Sequence, residues 1–104
     1  MLPLIILTGP TGSGKSETAL ALARKLNTDI ISADSMQVYK YFDIGTAKPS
    51  LAVRKEIPHH LIDILEPNQE FNAFSFKARA LNVILKLIKR GKVPILVGGT
   101  GLYI

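Results

Sequence analysis

Residues 9–16 read Gly9-Pro10-Thr11-Gly12-Ser13-Gly14-Lys15-Ser16. The pattern is G-x-x-x-x-G-K-[ST], a loop that wraps a phosphate group. Each part has a physical task. Gly9, Gly12 and Gly14 let the backbone take positive φ and come close to a ligand. The N–H groups freed in this way converge on a concave anion site. Lys15 adds a mobile positive charge, and the Ser16 hydroxyl is suited to a magnesium ion. Pro10, Thr11 and Ser13 complete the phosphate-binding segment.

The flanks agree with this reading. The apolar run Leu2-Pro3-Leu4-Ile5-Ile6-Leu7 precedes the loop and reads as a buried strand. Residues 17–26 follow, with Ala19, Leu22, Ala23 and Leu26 at helical spacing. A bound phosphate is thereby delivered to a helix N-terminus, where the dipole favours negative charge. A glycine-rich turn that binds nothing would not need this strand before and helix after.

Further along, residues 29–32 read as a second strand ending at Ala33-Asp34-Ser35. A polar stretch with Gly45 and Pro49 comes next, then a short basic segment at 52–55 of helical character. Residues 60–65 are a third candidate strand. The clearest helix is 73–90, where Phe74, Ala78, Leu81, Leu85 and Ile88 mark one face for burial. Asn72 or Ser75 caps its start and Gly91 closes it. Lys86, Lys89, Arg90 and Lys92 read as a solvated helix end, with an RNA-facing patch as the competing reading. Residues 93–97 form a fourth strand, followed by Gly98-Gly99-Thr100-Gly101.

Alternation of strand and helix implies an α/β fold with a parallel sheet covered on both faces. The expected architecture is a P-loop NTPase-like three-layer fold, incomplete within residues 1–104. The last turn reads as another strand-to-helix junction, so we expect the N-terminal catalytic portion of a longer enzyme. Ligands of such sheets bind outside the carboxyl ends of the strands. The phosphate loop, Asp34 and the Gly-Gly-Thr-Gly turn all lie there, which predicts one shared pocket.

The 104 residues are 47% apolar, enough for a core, which argues against disorder. Cysteine is absent, so disulfides and cysteine zinc sites are excluded. That composition suits a cytoplasmic location. No apolar run approaches a transmembrane length, and the N-terminus lacks a basic leader, so no membrane role is expected. Thirteen basic against eight acidic residues give a formal charge of +5, which is compatible with a polyanionic partner such as RNA.

Asp34 is the strongest chemical candidate after the loop. A carboxylate at a strand end beside a phosphate site can coordinate magnesium or act as a general base. Its bland alternative is a turn or cap aspartate. Asp63 is a second metal candidate, with a structural role as the default. His59 and His60 are neighbours on extended chain and point opposite ways, so they make a poor metal pair and at most one faces a site. Thr11 and Thr100 carry hydroxyls on glycine-rich turns, suited to a diphosphate or nucleotide.

Four motifs are more specific than the phosphate loop. They are Ile31-Ser32-Ala33-Asp34-Ser35-Met36-Gln37-Val38-Tyr39, Asp43-Ile44-Gly45-Thr46-Ala47-Lys48-Pro49, Pro58-His59-His60-Leu61-Ile62-Asp63 and Val97-Gly98-Gly99-Thr100-Gly101-Leu102-Tyr103. Together they closely resemble the bacterial tRNA dimethylallyltransferases, whose members are about three times as long. The resemblance implies transfer of a dimethylallyl group from dimethylallyl diphosphate to N6 of an adenosine beside the tRNA anticodon, with diphosphate released. It implies that residues 11–16 touch the prenyl diphosphate, with Mg2+ as cofactor held at Ser16. It gives catalytic roles to Asp34, Lys15 and Thr11, Asp34 acting as base. It sets Asp34, Ser35, Met36, Gln37 and Thr100 against the tRNA, and suggests a monomer. Lys40 stands where arginine is common, and Tyr41-Phe42 replaces a frequent Gly-Met pair.

Three alternatives compete. A small-molecule P-loop kinase shares the loop but gives no reason for Asp34-Ser35-Met36-Gln37. An adenylate isopentenyltransferase matches Pro58-His59-His60-Leu61-Ile62-Asp63 less well. A non-catalytic phosphate-binding chain is the third.

Overall fold

The computed structural model describes residues 4–8, 14–34, 37–41 and 48–98. In chain order the elements are β1 (Ile5–Thr8), α1 (Lys15–Leu26), β2 (Ile30–Ala33), α2 (Leu51–Glu56), β3 (His59–His60), α3 (Ala73–Lys89) and β4 (Ile95–Gly98). The strands lie in the order β1-β4-β2-β3. Every pairing is parallel. β2 therefore sits in the interior, and all four of its residues are buried.

The register sorts the strand side chains onto two faces. Ile30 stands opposite Ile95 and His59, while Ile31 stands opposite Leu96 and His60. Ile30 and Ile95 pack with Ala19, Ala23 and Ile57 on the α1 side. Ile31, Ala33 and Leu96 pack with Phe76, Ala80, Ile84 and Leu87 on the α3 side. Helix, sheet and helix thus form three layers, the expected P-loop NTPase-like arrangement. α1 presents the small side chains Ala19 and Ala23 to the sheet, each 1% exposed. Leu22 is partly buried beside them, whereas Leu26, expected on the same face, is 40% exposed.

α3 corrects a second expectation. Its buried face is Phe76, Ala80, Ile84 and Leu87. Phe74 is 83% exposed, and Leu81 and Leu85 are about half exposed. Two apolar stripes run along this helix, and periodicity alone cannot choose between them. The choice is made by shape complementarity to Ile31, Leu96, Val38 and Leu61, with Phe76 stacked at a tilt on Phe71 at 5.4 Å between centroids. The Asn72 side chain accepts from the Ser75 N–H at 3.0 Å, so Asn72 is the cap. At the other end Gly91 and Lys92 donate back to Ile88 and Leu87, the two bonds of a Schellman close.

β3 is far shorter than the expected 60–65. Leu61 and Asp63 take positive φ, 69° and 58°, and this ends the extended run. The chain then turns onto residues 37–40. Asp63 N–H donates to the Gln37 carbonyl, Ile64 N–H to Val38 and Lys40 N–H to Leu65. α2 covers 51–56, with the Ser50 hydroxyl accepting from Val53 N–H at 3.2 Å.

Candidate functional site

The carboxyl ends of β1, β2 and β4 point to one edge of the molecule. Gly14 opens α1 at φ 83°, in the left-handed region, with no side-chain cap. The first N–H groups of the helix are therefore left without a side-chain acceptor from that position, as an anion site requires. Lys15 reaches across and donates from Nζ to the Gly98 carbonyl at 3.2 Å. This places the ammonium at the end of β4. Gly98 has its own constraint: a Cβ there would lie 2.3 Å from the Ala33 carbonyl oxygen. Only glycine lets β4 and β2 approach so closely beneath the site.

A cavity of about 770 Å3 opens on the α1 side of this edge. That is the size of a small-molecule site. Lys15, Ser16, Asp34, Gln37 and His59 all line it, with apolar wall from Leu20, Ile30 and Val53. Of the three features predicted to share one pocket, residues 14–16 of the phosphate loop, Asp34 and Gly98 of the Gly-Gly-Thr-Gly turn line this cavity. Gly9, Pro10, Thr11, Gly12, Ser13, Ser35, Met36 and Thr100 lie outside the described residues.

Asp34 stands one residue beyond β2. Its Oδ1 accepts from the Gln37 N–H at 3.3 Å, a turn contact of the Asx kind. The reading as a turn aspartate therefore holds, and the same residue also lines the cavity. Gln37 is oriented in turn by Ser32, whose hydroxyl donates to Oε1 at 2.9 Å.

The two histidines part company as the alternation of the strand demands. His59 faces the cavity, and His60 is turned to the other side of the sheet, where Nε2 meets Asp29 Oδ2 at 2.9 Å. His59 Nδ1 lies 2.7 Å from the Ile57 carbonyl. A carbonyl only accepts, so Nδ1 carries the proton and Nε2 is an acceptor when the ring is neutral. Burial holds the His59 pKa below its ordinary value, helped by the charges of Arg54 and His60, while the Ile57 carbonyl and Asp29 oppose the shift.

Asp63 takes the structural role expected of it by default. Its Oδ1 takes a hydrogen bond from Lys48 Nζ at 2.6 Å, and its Oδ2 takes one from Arg54 Nη1 at 2.8 Å. Burial alone would push its carboxyl up, but the two cations outweigh burial and hold it below the ordinary carboxylate value. Among the described residues no group of three or more His, Cys, Asp or Glu side chains is placed to hold a metal. Nor, among them, is any helix long and apolar enough to cross a membrane. Local pattern does not mark Lys48, Arg54 or Ser32 as site residues, and it leaves open which of His59 and His60 faces the site. The signal for Lys48 was its place in the Gly45-Thr46-Ala47-Lys48-Pro49 motif, whose physical purpose no local pattern reveals.

Comparison with known proteins shows the family. A family model described as IPP transferase matches residues 37–104, and one described as isopentenyl transferase matches residues 2–66. The tRNA dimethylallyltransferase of Pelotomaculum thermopropionicum is 56% identical over 102 residues, covering 98% of this chain and 32% of the relative. The chain thus spans about a third of the length of such relatives. The crystal structure of a tRNA isopentenylpyrophosphate transferase from Staphylococcus epidermidis superposes with a TM-score of 0.90 at 54% identity, over 96% of this chain and 33% of that one. The corresponding enzyme of Bacillus halodurans gives 0.92 at 47% identity, over 99% and 34%. With family models matching well over half of its residues, this chain belongs to the IPP transferase family.

Proposed function

We propose that the protein carrying this chain transfers a dimethylallyl group from dimethylallyl diphosphate to N6 of the adenosine adjacent to the anticodon of tRNA. The observation that carries this reading is the single cavity joining the N-terminus of α1, with Lys15 and Ser16, to Asp34. A phosphate-loop site holds a diphosphate as readily as a triphosphate, and here it would hold the leaving group. Relatives that are 56% and 54% identical to this chain bear the name tRNA dimethylallyltransferase.

The reaction places three demands on the chain. Negative charge builds on the departing oxygen as the C1–O bond breaks. The Lys15 ammonium and the N–H groups at the start of α1 stabilise that charge without reorganising. The adenine amine is a weak nucleophile, because its lone pair is delocalised into the ring. Asp34 accepts the N6 proton as the new N–C bond forms, and diphosphate leaves. Gln37 holds the Asp34 carboxylate in place through its backbone N–H. The target base must leave its stack to enter the cavity.

The donor set fits Mg2+, which takes few protein ligands and keeps substrate phosphates and water for the rest. The Ser16 hydroxyl would hold it, in the cavity that Asp34 also lines. When bound, the ion neutralises charge on the diphosphate.

The test is prenylation by the full-length protein of an unmodified anticodon stem-loop RNA, read by mass spectrometry. The expected result is RNA heavier by one dimethylallyl group, dependent on magnesium. Unchanged RNA, with phosphoryl transfer from ATP to a small molecule in its place, overturns the assignment in favour of a P-loop kinase.

A further inference from the structure

We propose that Lys48, Asp63 and Arg54 form a positioning clamp that sets the orientation of Asp34 through Gln37. None of the three lines up with the phosphate loop in sequence. Their geometry nevertheless leads to the site in three steps, each a hydrogen bond.

The Lys48 side chain is 2% exposed. An ammonium so buried needs partners on every side, since isolation would cost several kcal/mol. Its partners include Asp63 Oδ1 at 2.6 Å and the Tyr39 carbonyl at 2.6 Å. Arg54 takes the other oxygen of Asp63 at 2.8 Å and spends its Nε–H on the Pro49 carbonyl at 3.0 Å. One carboxylate thereby ties residues 37–41, residues 48–54 and the turn at 61–65 together.

The turn has a left-handed residue at its centre, Asp63 at φ 58°. In that conformation the Asp63 N–H donates to the Gln37 carbonyl at 3.0 Å while its side chain is held by the two cations. Gln37 is then fixed on three sides. Asp63 holds its carbonyl, Ser32 holds its side-chain oxygen at 2.9 Å, and its own N–H reaches Asp34 Oδ1 at 3.3 Å. The carboxylate of Asp34 is one residue removed from the clamp.

A purely stabilising role accounts poorly for this arrangement. A buried ion pair is weak evidence of stability, because well-packed apolar side chains of similar size do as well or better. What apolar side chains do not supply is direction. Two cations converging on one carboxylate fix both of its oxygens, and so fix the backbone N–H that points at Gln37. A catalytic carboxylate misplaced by about 1 Å loses on the order of 100-fold in rate. The inference rests on the reading of Asp34 as the base in prenyl transfer.

The test uses the full-length protein with Asp63→Asn and, separately, Lys48→Met. Asparagine tolerates the left-handed conformation and matches aspartate in size, so Asp63→Asn keeps the shape of the turn while it removes the charge that faces Lys48 and Arg54. Arg24→Ala is the control. It breaks an exposed ion pair between Arg24 and Glu56 at 2.7 Å, which shares no residue with the clamp. The readouts are kcat at saturating RNA, the Kd for dimethylallyl diphosphate, and amide hydrogen exchange. For Asp63→Asn we expect kcat to fall about 10- to 100-fold, with the diphosphate Kd changed by less than about twofold. Exchange should quicken at residues 37–40 and 63–65 while β2 and β4 stay protected. Arg24→Ala should keep the wild-type kcat. Asp63→Asn with wild-type kcat overturns the clamp, as does a loss of kcat matched by equal loss of diphosphate binding. A wild-type protein that transfers no prenyl group overturns the functional reading itself, and the clamp as a catalytic device with it. That failure is visible in the unmutated protein alone.

Discussion

Asp34 shows how one side chain serves a turn and a reaction together. Its Oδ1 accepts from Gln37 N–H, which anchors the chain as it leaves β2. A carboxylate has several acceptor sites, so holding a turn and receiving a proton are compatible. Asp34→Asn keeps the shape and the turn contact but gives up the basic oxygen. We expect prenyl transfer to fall by about 100- to 10,000-fold, the span of general-base catalysis, with dimethylallyl diphosphate still bound. Single-turnover kinetics beside calorimetric binding would check both halves. Transfer at the wild-type rate would remove Asp34 from the chemistry. The residue was legible in sequence because it follows a strand at the expected ligand edge. The contact with Gln37 was not, because it depends on where the next turn of chain is held.

At the level of elements, α3 is the instructive case. Its existence, its length to within a residue and its close at Gly91 follow from local pattern. Its orientation does not. Phe74, Leu81 and Leu85 satisfy helical periodicity as well as Phe76, Ala80 and Ile84 do, and yet the sheet takes the second set. Phe76→Ala should therefore cost about 3–5 kcal/mol, as a large-to-small change in a core does. Phe74→Ala should cost less than about 1 kcal/mol, as a surface change does. Urea titration of the two variants separates them, and equal costs would contradict the packing described. β3 makes the same point differently. The run 60–65 is apolar enough for a strand, but Leu61 and Asp63 turn left-handed to bring residues 63–65 against 37–40. Long-range hydrogen bonding overrides the local preference there.

For the molecule as a whole, acidity is a probe of how the layers are held. His59 has its folded pKa below the ordinary 6.5, chiefly because it is buried. The unfolded chain thus binds a proton at a pH where the folded chain does not. Stability is complete above about 6.5 and declines as the pH falls from there through the folded value. Asp63 is likewise held below its ordinary 3.8 by Lys48 and Arg54 against the opposing effect of burial. Its contribution is present above the unfolded value and disappears as the pH falls through the folded one. Tm measured between pH 8 and pH 3 should decline in two stages, mildly acidic and strongly acidic. His59→Asn should remove the first stage and Asp63→Asn the second. A flat Tm from pH 7 to pH 5 in the wild type would contradict the burial assigned to His59.

The sequence by itself determined the α/β class, the phosphate loop, the three strands β1, β2 and β4, the two long helices and the place of Asp34. Each of these rests on neighbours within one turn or one strand, where glycine positions, periodicity and caps carry the information. Tertiary structure alone decided the strand order β1-β4-β2-β3, which stripe of α3 is buried, which histidine faces the cavity, and the union of Lys48, Asp63 and Arg54. The reason is physical. These features are settled by contacts between residues far apart in the chain, through packing and through the requirement that a buried charge be paired, and no local pattern records either one.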